Sequence, residues 1–346
     1  MEAVAEPRRV QTLVDAGISR LPSRYIQPLE LRPDPRRCGI DVGGIPVIDL
    51  SLSAGDPVPA IACASRDWGA FQVVNHGVSS RLLEEMKSVG SSFFSSPMEA
   101  KLRFACDPRS PASEGYGSRM LSNDDGVLDW RDYFDHHTLP VSRRNPSRWP
   151  DFPTNYSIKD TILEYSDGIK KLAQTLLHMI SQSVGLPPSY IEDAVGEVYQ
   201  NITVSYYPPC PQPELALGLQ SHSDMGAITL LIQDDVPGLE VLKDDEWAVV
   251  HPLSGAIVVI LSDQTEVITN GQYKSAVHRA IVNDHRPRLS VAAFYDPSKT
   301  RKIYPAPQLV TKNSPRKYRE VLYGDYVSSW YSKGPEGKRN IDALLI

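Results

Sequence analysis

Residues 201–233 read NITVSYYPPCPQPELALGLQSHSDMGAITLLIQ, and residues 256–295 read AIVVILSDQTEVITNGQYKSAVHRAIVNDHRPRLSVAAFY. Short β-branched runs alternate here with Pro, Gly and Asp-Asp turns. They predict strands over 201–207, 227–233, 238–242, 247–250, 256–261, 265–268, 275–282 and 288–295. Many short strands without helices between them predict a sandwich or jelly roll, not alternating βαβ units. Within this stretch lies His222-Ser-Asp224, just before the 227–233 run. Residues i and i+2 of an extended segment point the same way, so one imidazole and one carboxylate converge. A second histidine, His278, falls in the 275–282 run. Two histidines and one carboxylate are the ligand set that holds a non-haem Fe(II) on one face and leaves the other open. Zinc sites more often use three histidines or thiolates, whereas the motif here joins two histidines to an aspartate. Arg288 and Ser290, at the start of the last run, suit the carboxylate of a co-substrate.

Working outward, residues 8–21 have helical spacing, with Val10, Leu13, Val14 and Ile18 on one side. A Pro-rich connection follows from Pro28 to Arg37, then a strand over 45–50, a helix over 57–66 and a strand over 69–75. Residues 81–104 form a helical pattern interrupted at Pro97, which opens a new helix. From Asp107 to Pro153 the text is polar but carries Tyr116, Trp130, Tyr133, Phe134, Trp149 and Phe152, which predicts ordered loops and strands forming one wall of a pocket. Residues 157–184 read as one amphipathic helix, 188–195 as a shorter one and 314–331 as a final one with an aromatic face. The division that follows is a helix and connection over 1–44, a mostly helical region over 45–198, the strand-rich core over 199–300 and a helix and tail over 301–346.

The 346 residues carry a net charge of -6, with 41% hydrophobic and 23% charged residues. No basic block is present, so nucleic acid is not an expected partner. Four cysteines, Cys38, Cys63, Cys106 and Cys210, are widely spaced, which argues against a disulfide framework and for a reducing compartment. No apolar run reaches membrane-spanning or signal-peptide length. A cytoplasmic monomer with no membrane partner is the expectation.

Several motifs carry a resemblance. Ile45-Pro-Val-Ile-Asp-Leu50, Trp68-Gly-Ala-Phe-Gln-Val-Val-Asn-His-Gly77 and Tyr206-Tyr-Pro-Pro-Cys-Pro-Gln-Pro-Glu-Leu-Ala-Leu-Gly218 precede His222-Ser-Asp-Met-Gly226, Tyr273-Lys-Ser-Ala-Val-His-Arg279 and Arg288-Leu-Ser290. Together they resemble the plant-type 2-oxoglutarate- and Fe(II)-dependent dioxygenases, from about Ile45 to the C-terminus. The resemblance implies an α+β fold with a double-stranded β-helix (jelly-roll) core and flanking helices. It implies that His222, Asp224 and His278 bind iron, and that Arg288, Ser290 and Tyr207 hold the distal carboxylate of 2-oxoglutarate. O2 is the oxidant, ascorbate the expected reductant, and succinate and CO2 are released. The substrate implied is a small hydrophobic metabolite or hormone, such as a flavonoid, coumarin, terpenoid or jasmonate-like compound, which is hydroxylated or desaturated.

The chain departs from the family at Ser205, where asparagine is usual, at Ser262, where glycine is usual, and at Glu266, where a neutral residue is usual. These departures keep open a dioxygenase-like binding protein with impaired catalysis. An ascorbate-dependent oxidase resembling the aminocyclopropane carboxylate oxidases also stays open. By family analogy Tyr116, Tyr133, Phe134, Phe294, Tyr326 and Trp330 wall the substrate pocket, with core packing as the alternative for each. His136 and His137 are neighbours on a strand and face opposite sides, so they do not share a metal.

Overall fold

The computed structural model describes residues 9–33, 44–51, 53, 55–107, 114–118, 126–152, 158–333 and 340–346. Cys38, the start of the N-terminal helical stretch and parts of the 107–153 segment lie outside them. In chain order the first elements are α1 (Val10–Asp15), β1 (Val47–Asp49), α2 (Val58–Asp67), β2 (Ala70–Val74), α3 (Ser80–Phe94) and α4 (Met98–Leu102). Next come β3 (Gly115–Gly117), β4 (Asp132–Leu139), α5 (Ile158–Ser183), α6 (Tyr190–Val195), β5 (Tyr199–Tyr207) and β6 (Leu219–His222). β7 (Ile228–Gln233), β8 (Leu239–Lys243), β9 (Glu246–Val249), β10 (Ile257–Leu261), α7 (Asp263–Ile268), β11 (His278–Ala280) and β12 (Arg288–Asp296) follow. The chain closes with β13 (Lys302–Ile303), β14 (Val321–Leu322) and α8 (Tyr323–Lys333).

Eight strands form one sheet in the order β1-β2-β10-β7-β12-β5-β4-β3, and four form a second in the order β6-β11-β8-β9. Both supply walls to a single cavity, so they enclose it between them, as in a jelly roll. The expected α+β architecture with a double-stranded β-helix core is borne out. The other face of the large sheet is apolar. Val204, Val291 and Leu289 join α3 and α5 residues such as Met86, Val89, Leu172 and Leu176 in one buried cluster. These helices stiffen the central strands β5 and β12, which carry much of the cavity wall.

Three expected elements came out differently. Residues 265–268 are not a strand; they belong to α7. Their β-branched side chains favour extended backbone, but tertiary bonds win. The amides of Asp263 and Gln264 donate to the carbonyls of Asp224 and Gly226, and the Thr265 hydroxyl donates 2.6 Å to the Ala227 carbonyl. The final helix starts at Tyr323 rather than at 314, because Val321–Leu322 pair with Lys302–Ile303. The N-terminal helix is confined to Val10–Asp15; Gly17, at φ 68°, ends it. One short strand, β6, had no signal in its polar text.

Candidate active site

One strand spans the cavity. On β12, Arg288, Ser290, Ala292, Phe294 and Asp296 line it, while Leu289, Val291, Ala293 and Tyr295 face the apolar core. The period of two sets this alternation, and eight residues of strand span about 27 Å. β5 runs antiparallel beside it and presents Tyr207, Ser205, Thr203, Asn201 and Tyr199 in register. β4 adds Tyr133, Asp135 and His137. The cavity measures about 530 Å³, a size suited to a metabolite.

Near the middle, three candidate ligands meet. His222 ends β6, and its register partner on β11 is His278. Their rings lie 4.3 Å apart between centroids. Asp224 Oδ1 is 3.5 Å from His222 Nε2 and 3.8 Å from His278 Nε2. All three offer ligand atoms within 4.8 Å of one another. The other ring nitrogens are already engaged. His222 Nδ1 lies 2.8 Å from the Gln220 carbonyl and His278 Nδ1 3.0 Å from the Ala276 carbonyl. Those carbonyls place the proton on Nδ1 and leave the Nε2 lone pairs facing the centre. The Thr229 hydroxyl donates 2.6 Å to Asp224 Oδ2 and fixes the carboxylate. The helix-start amides that bond the Asp224 and Gly226 carbonyls hold this loop, and the Tyr326 hydroxyl donates 2.5 Å to Asp263 Oδ2 behind it.

The electrostatics are those of a cation site waiting for its cation. Burial alone would raise the Asp224 carboxyl, but His278, His222 and the Thr229 hydroxyl outweigh it and hold it down at about 2. Burial and the neighbouring His222 push His278 down to about 4. Burial also opposes charge on His222, yet the Asp224 carboxylate and the Gln220 carbonyl carry it above its usual 6.5. Asp224 thus stays ionised and supplies the negative charge that a bound cation needs. Two imidazoles, one carboxylate and open space on the cavity side fit Fe(II).

At one end of β12 lies Arg288, 2% exposed. Its Nε donates 3.2 Å to the Val236 carbonyl and its Nη2 2.8 Å to Gln233 Oε1. Tyr207 presents its ring 5.1 Å from the guanidinium carbon. A Cβ at position 238 would come within 2.7 Å of the Arg288 side chain, so Gly238 makes room for it. No carboxylate of the described residues forms an ion pair with Arg288. Asp234 feels its charge but spends its oxygens on the Leu289 and Val236 amides. A buried guanidinium surrounded by neutral partners calls for an anion. The distal carboxylate of 2-oxoglutarate suits this guanidinium in charge and in fork geometry.

At the other end, donors and acceptors stand together. Asp135 accepts from the Thr203 hydroxyl at 2.7 Å, and His137 Nε2 lies 3.4 Å from its second oxygen. The side-chain oxygens Asn201 Oδ1 and Asp296 Oδ1 are buried with no hydrogen-bond partner. Burial and the charge of Asp224 push the Asp296 carboxyl up to about 7. Gly226 is required beside it, since a Cβ there would overlap the Asp296 carboxylate. The roof is α8, through Tyr323, Val327, Trp330 and Tyr331.

Of the six aromatic residues expected to wall the pocket, Tyr133, Phe294 and Trp330 line it. Tyr116, Phe134 and Tyr326 do not. Tyr116 and Phe134 face the other side and pack edge-on against Phe93, at 5.5 and 4.9 Å between centroids. Tyr326 points away, to Asp263. His136 and His137 face opposite sides, as expected: the first bonds the Ile202 carbonyl at 3.2 Å, the second lines the cavity. Ser205 lines the cavity with its Oγ 3.4 Å from Arg131 Nη1. Ser262 sits in extended backbone, φ -112° and ψ 173°, which does not require glycine. Glu266 is buried and accepts from the Ser275 amide and the Tyr318 hydroxyl, both at 2.6 Å. Asp135, Asn201, Thr203, Asp296 and Tyr331 were not singled out in the sequence. Alternation along residues 132–139 was the available signal for Asp135.

Residues 199–297 match the 2OG-Fe(II) oxygenase superfamily, and residues 45–152 match the non-haem dioxygenase in morphine synthesis N-terminal region. Jasmonate-induced oxygenase 4 of Arabidopsis thaliana is 39% identical over 344 residues, covering 97% of this chain and 96% of that protein. Flavonol synthase 1 of Crocosmia x crocosmiiflora is 36% identical over 335 residues, covering 96% and 100%. A crystal structure of JOX2 in complex with 2OG, Fe and JA superposes with a TM-score of 0.91 at 39% identity, covering 99% of this chain and 98% of that one.

Proposed function

The chain belongs to the 2OG-Fe(II) oxygenase superfamily and is an Fe(II)- and 2-oxoglutarate-dependent dioxygenase; from that premise we propose that it hydroxylates or desaturates a small hydrophobic metabolite of flavonoid or jasmonate type at the centre formed by His222, Asp224 and His278. The observation that carries the reading is the placement, around one cavity, of this triad and a buried guanidinium with which no carboxylate of the described residues forms an ion pair.

In this reading His222, Asp224 and His278 hold the iron by Nε2, a carboxylate oxygen and Nε2. When bound, the iron and 2-oxoglutarate supply the oxidising chemistry with O2, and succinate and CO2 leave. Arg288 takes the distal carboxylate of 2-oxoglutarate, with Ser290 and Tyr207 as hydroxyl partners on the same wall. The carbonyls of Gln220 and Ala276 keep both imidazoles in the tautomer that presents Nε2. Tyr133, Phe294 and Trp330 exclude water around the substrate. Residues 1–44, 45–198, 199–300 and 301–346 serve in turn as N-terminal connection, helical region, iron-binding core and closing helix with tail. We take the enzyme to be a cytosolic monomer with ascorbate as reductant. The unpaired Cys63, Cys106 and Cys210 support the reducing compartment, and among the described residues no helix is long and apolar enough to cross a membrane.

Purified protein given Fe(II), 2-oxoglutarate, ascorbate and a panel of flavonoids and jasmonates should release succinate with at least one of them. Formation of oxidised product that ignores added 2-oxoglutarate would instead favour the ascorbate-dependent oxidases.

A further inference from the structure

The loop that carries Asp224 is held from behind by residues 262–265, at the start of α7. They donate to the consecutive carbonyls of Asp224, Met225, Gly226 and Ala227. The amides of Asp263, Gln264 and Ser262 reach Asp224, Gly226 and Ala227 at 2.9, 2.9 and 3.2 Å. The Gln264 side chain donates 2.9 Å to the Met225 carbonyl, and the Thr265 hydroxyl 2.6 Å to that of Ala227. Every residue of α7 is buried. A loop committed in this way follows the helix, because parting from it would strand buried polar groups.

The helix is fixed in turn by two carboxylates on one face, Asp263 and Glu266. Each accepts the hydroxyl of a tyrosine from the C-terminal region. Tyr326, on α8, donates 2.5 Å to Asp263 Oδ2, and Tyr318 donates 2.6 Å to Glu266 Oε1. Each also reaches the segments that bear the histidines. Glu266 Oε2 accepts the Ser275 amide at 2.6 Å, just before Ala276, whose carbonyl engages His278 Nδ1. The hydroxyls of Ser275 and of Ser223, which stands between His222 and Asp224, lie beside the Asp263 carboxyl. Tyr326 is buried and does not line the cavity, but its α8 neighbours Tyr323, Val327 and Trp330 do. One hydroxyl–carboxyl contact therefore joins the roof of the cavity to the helix that grips the metal loop. We propose that Tyr326 is a positioning residue for the metal centre: through Asp263 it holds α7, and with it the loop bearing His222 and Asp224, in the geometry that binds the ion. The proposal rests on the dioxygenase reading for the identity of that ion. It extends the reading by making the roof helix part of the metal site's support.

Tyr326→Phe tests this, since it keeps the ring and deletes the hydroxyl. Tyr165→Phe is the control: its buried hydroxyl in the apolar cluster has no hydrogen-bond partner among the described residues. Anaerobic calorimetry of Fe(II) into the metal-free protein, well below the melting temperature, should show the dissociation constant raised about tenfold by Tyr326→Phe and less than about twofold by Tyr165→Phe. Co(II) in place of Fe(II) should show altered d–d bands in Tyr326→Phe alone. In an Asp263→Ala background, Tyr326→Phe should add less than about threefold, because the two act as one contact. The Co(II) spectrum of Tyr326→Phe serves if Asp263→Ala does not fold. A hydroxyl that merely stabilises the fold would lower the melting temperature and leave the metal constant and the Co(II) bands of the folded protein unmoved. That result overturns the proposal, as does a full tenfold loss in the Asp263→Ala background. Wild-type protein that binds no metal overturns this proposal and the dioxygenase reading together. Metal binding without 2-oxoglutarate binding removes the dioxygenase reading alone.

Discussion

The two ends of β12 are opposite in what they lack. At the Arg288 end a buried guanidinium rests on a carbonyl, an amide oxygen and an aromatic face, and no carboxylate of the described residues forms an ion pair with it. At the Asp296 end two acidic side chains, an amide, an imidazole and a phenol gather without a cation paired to either acid among the described residues. The same cavity holds a triad whose carboxylate is kept ionised by the two imidazoles. A strand with strict alternation can carry both ends because each cavity-facing position is independent of the apolar face behind it, while β6, β11 and the loop after β6 bring the triad to the same cavity. The ligands of the clamp and of the triad are read from the charge that the protein leaves unsupplied.

The comparison can be broken most forcefully at the centre. His222→Ala removes one of three ligands and should lower succinate release by more than about a thousandfold, the several kcal/mol a bound metal supplies. The melting temperature of the metal-free protein should be little changed; normal turnover would end the assignment of the triad. At the clamp, Arg288→Ala should raise the KM for 2-oxoglutarate by about 10–100-fold, the value of one charge-assisted pair. Arg288→Lys should recover only part, because an ammonium lacks the fork.

Acid should act at the centre before it acts elsewhere. A metal needs neutral imidazoles, and the apo His222 holds its proton to a pH above its usual 6.5. Metal affinity should therefore fall about tenfold per pH unit below that point. His278, at about 4, should add its proton only in stronger acid. Anaerobic Fe(II) titration from pH 8 to pH 5 checks this; a flat profile would contradict the coupling through Asp224.

A smaller effect is expected from Asp296. Its folded value of about 7 lies above the ordinary 3.8, so its contribution to stability is present below 3.8 and is lost as pH rises through 7. Asp296→Asn should stabilise the metal-free protein at pH 8 by about 1–3 kcal/mol and do nothing below about pH 4. Thermal melting at the two pH values decides. The smallest change belongs to Ser205→Asn. Ser205 touches neither the triad nor the Arg288 guanidinium, so the KM for 2-oxoglutarate should move by less than about threefold.

What the sequence by itself determined is the strand-rich core and the helices over 81–104 and 157–184, and it singled out His222, Asp224, His278, Arg288 and Ser290 as candidates, which the fold brings to one cavity. Spacing along extended segments is a local property, and residue chemistry travels with it. Which aromatic residues wall the cavity was decided only by tertiary structure. Tyr133 and Phe134 are neighbours with the same propensity, and alternation says that they part company but not which one turns inward. The pairing of β4 with β5 settles that choice, placing Phe134 against the α3 side and Tyr133 over the cavity. The same holds for α7, a run of β-branched residues made helical by carbonyls of the metal loop. The Asp296 end likewise exists only once β4, β5 and β12 lie side by side, since Asp135, Asn201 and Asp296 come from segments with no common sequence signal. A polar atom's missing partner is a property of everything folded around it.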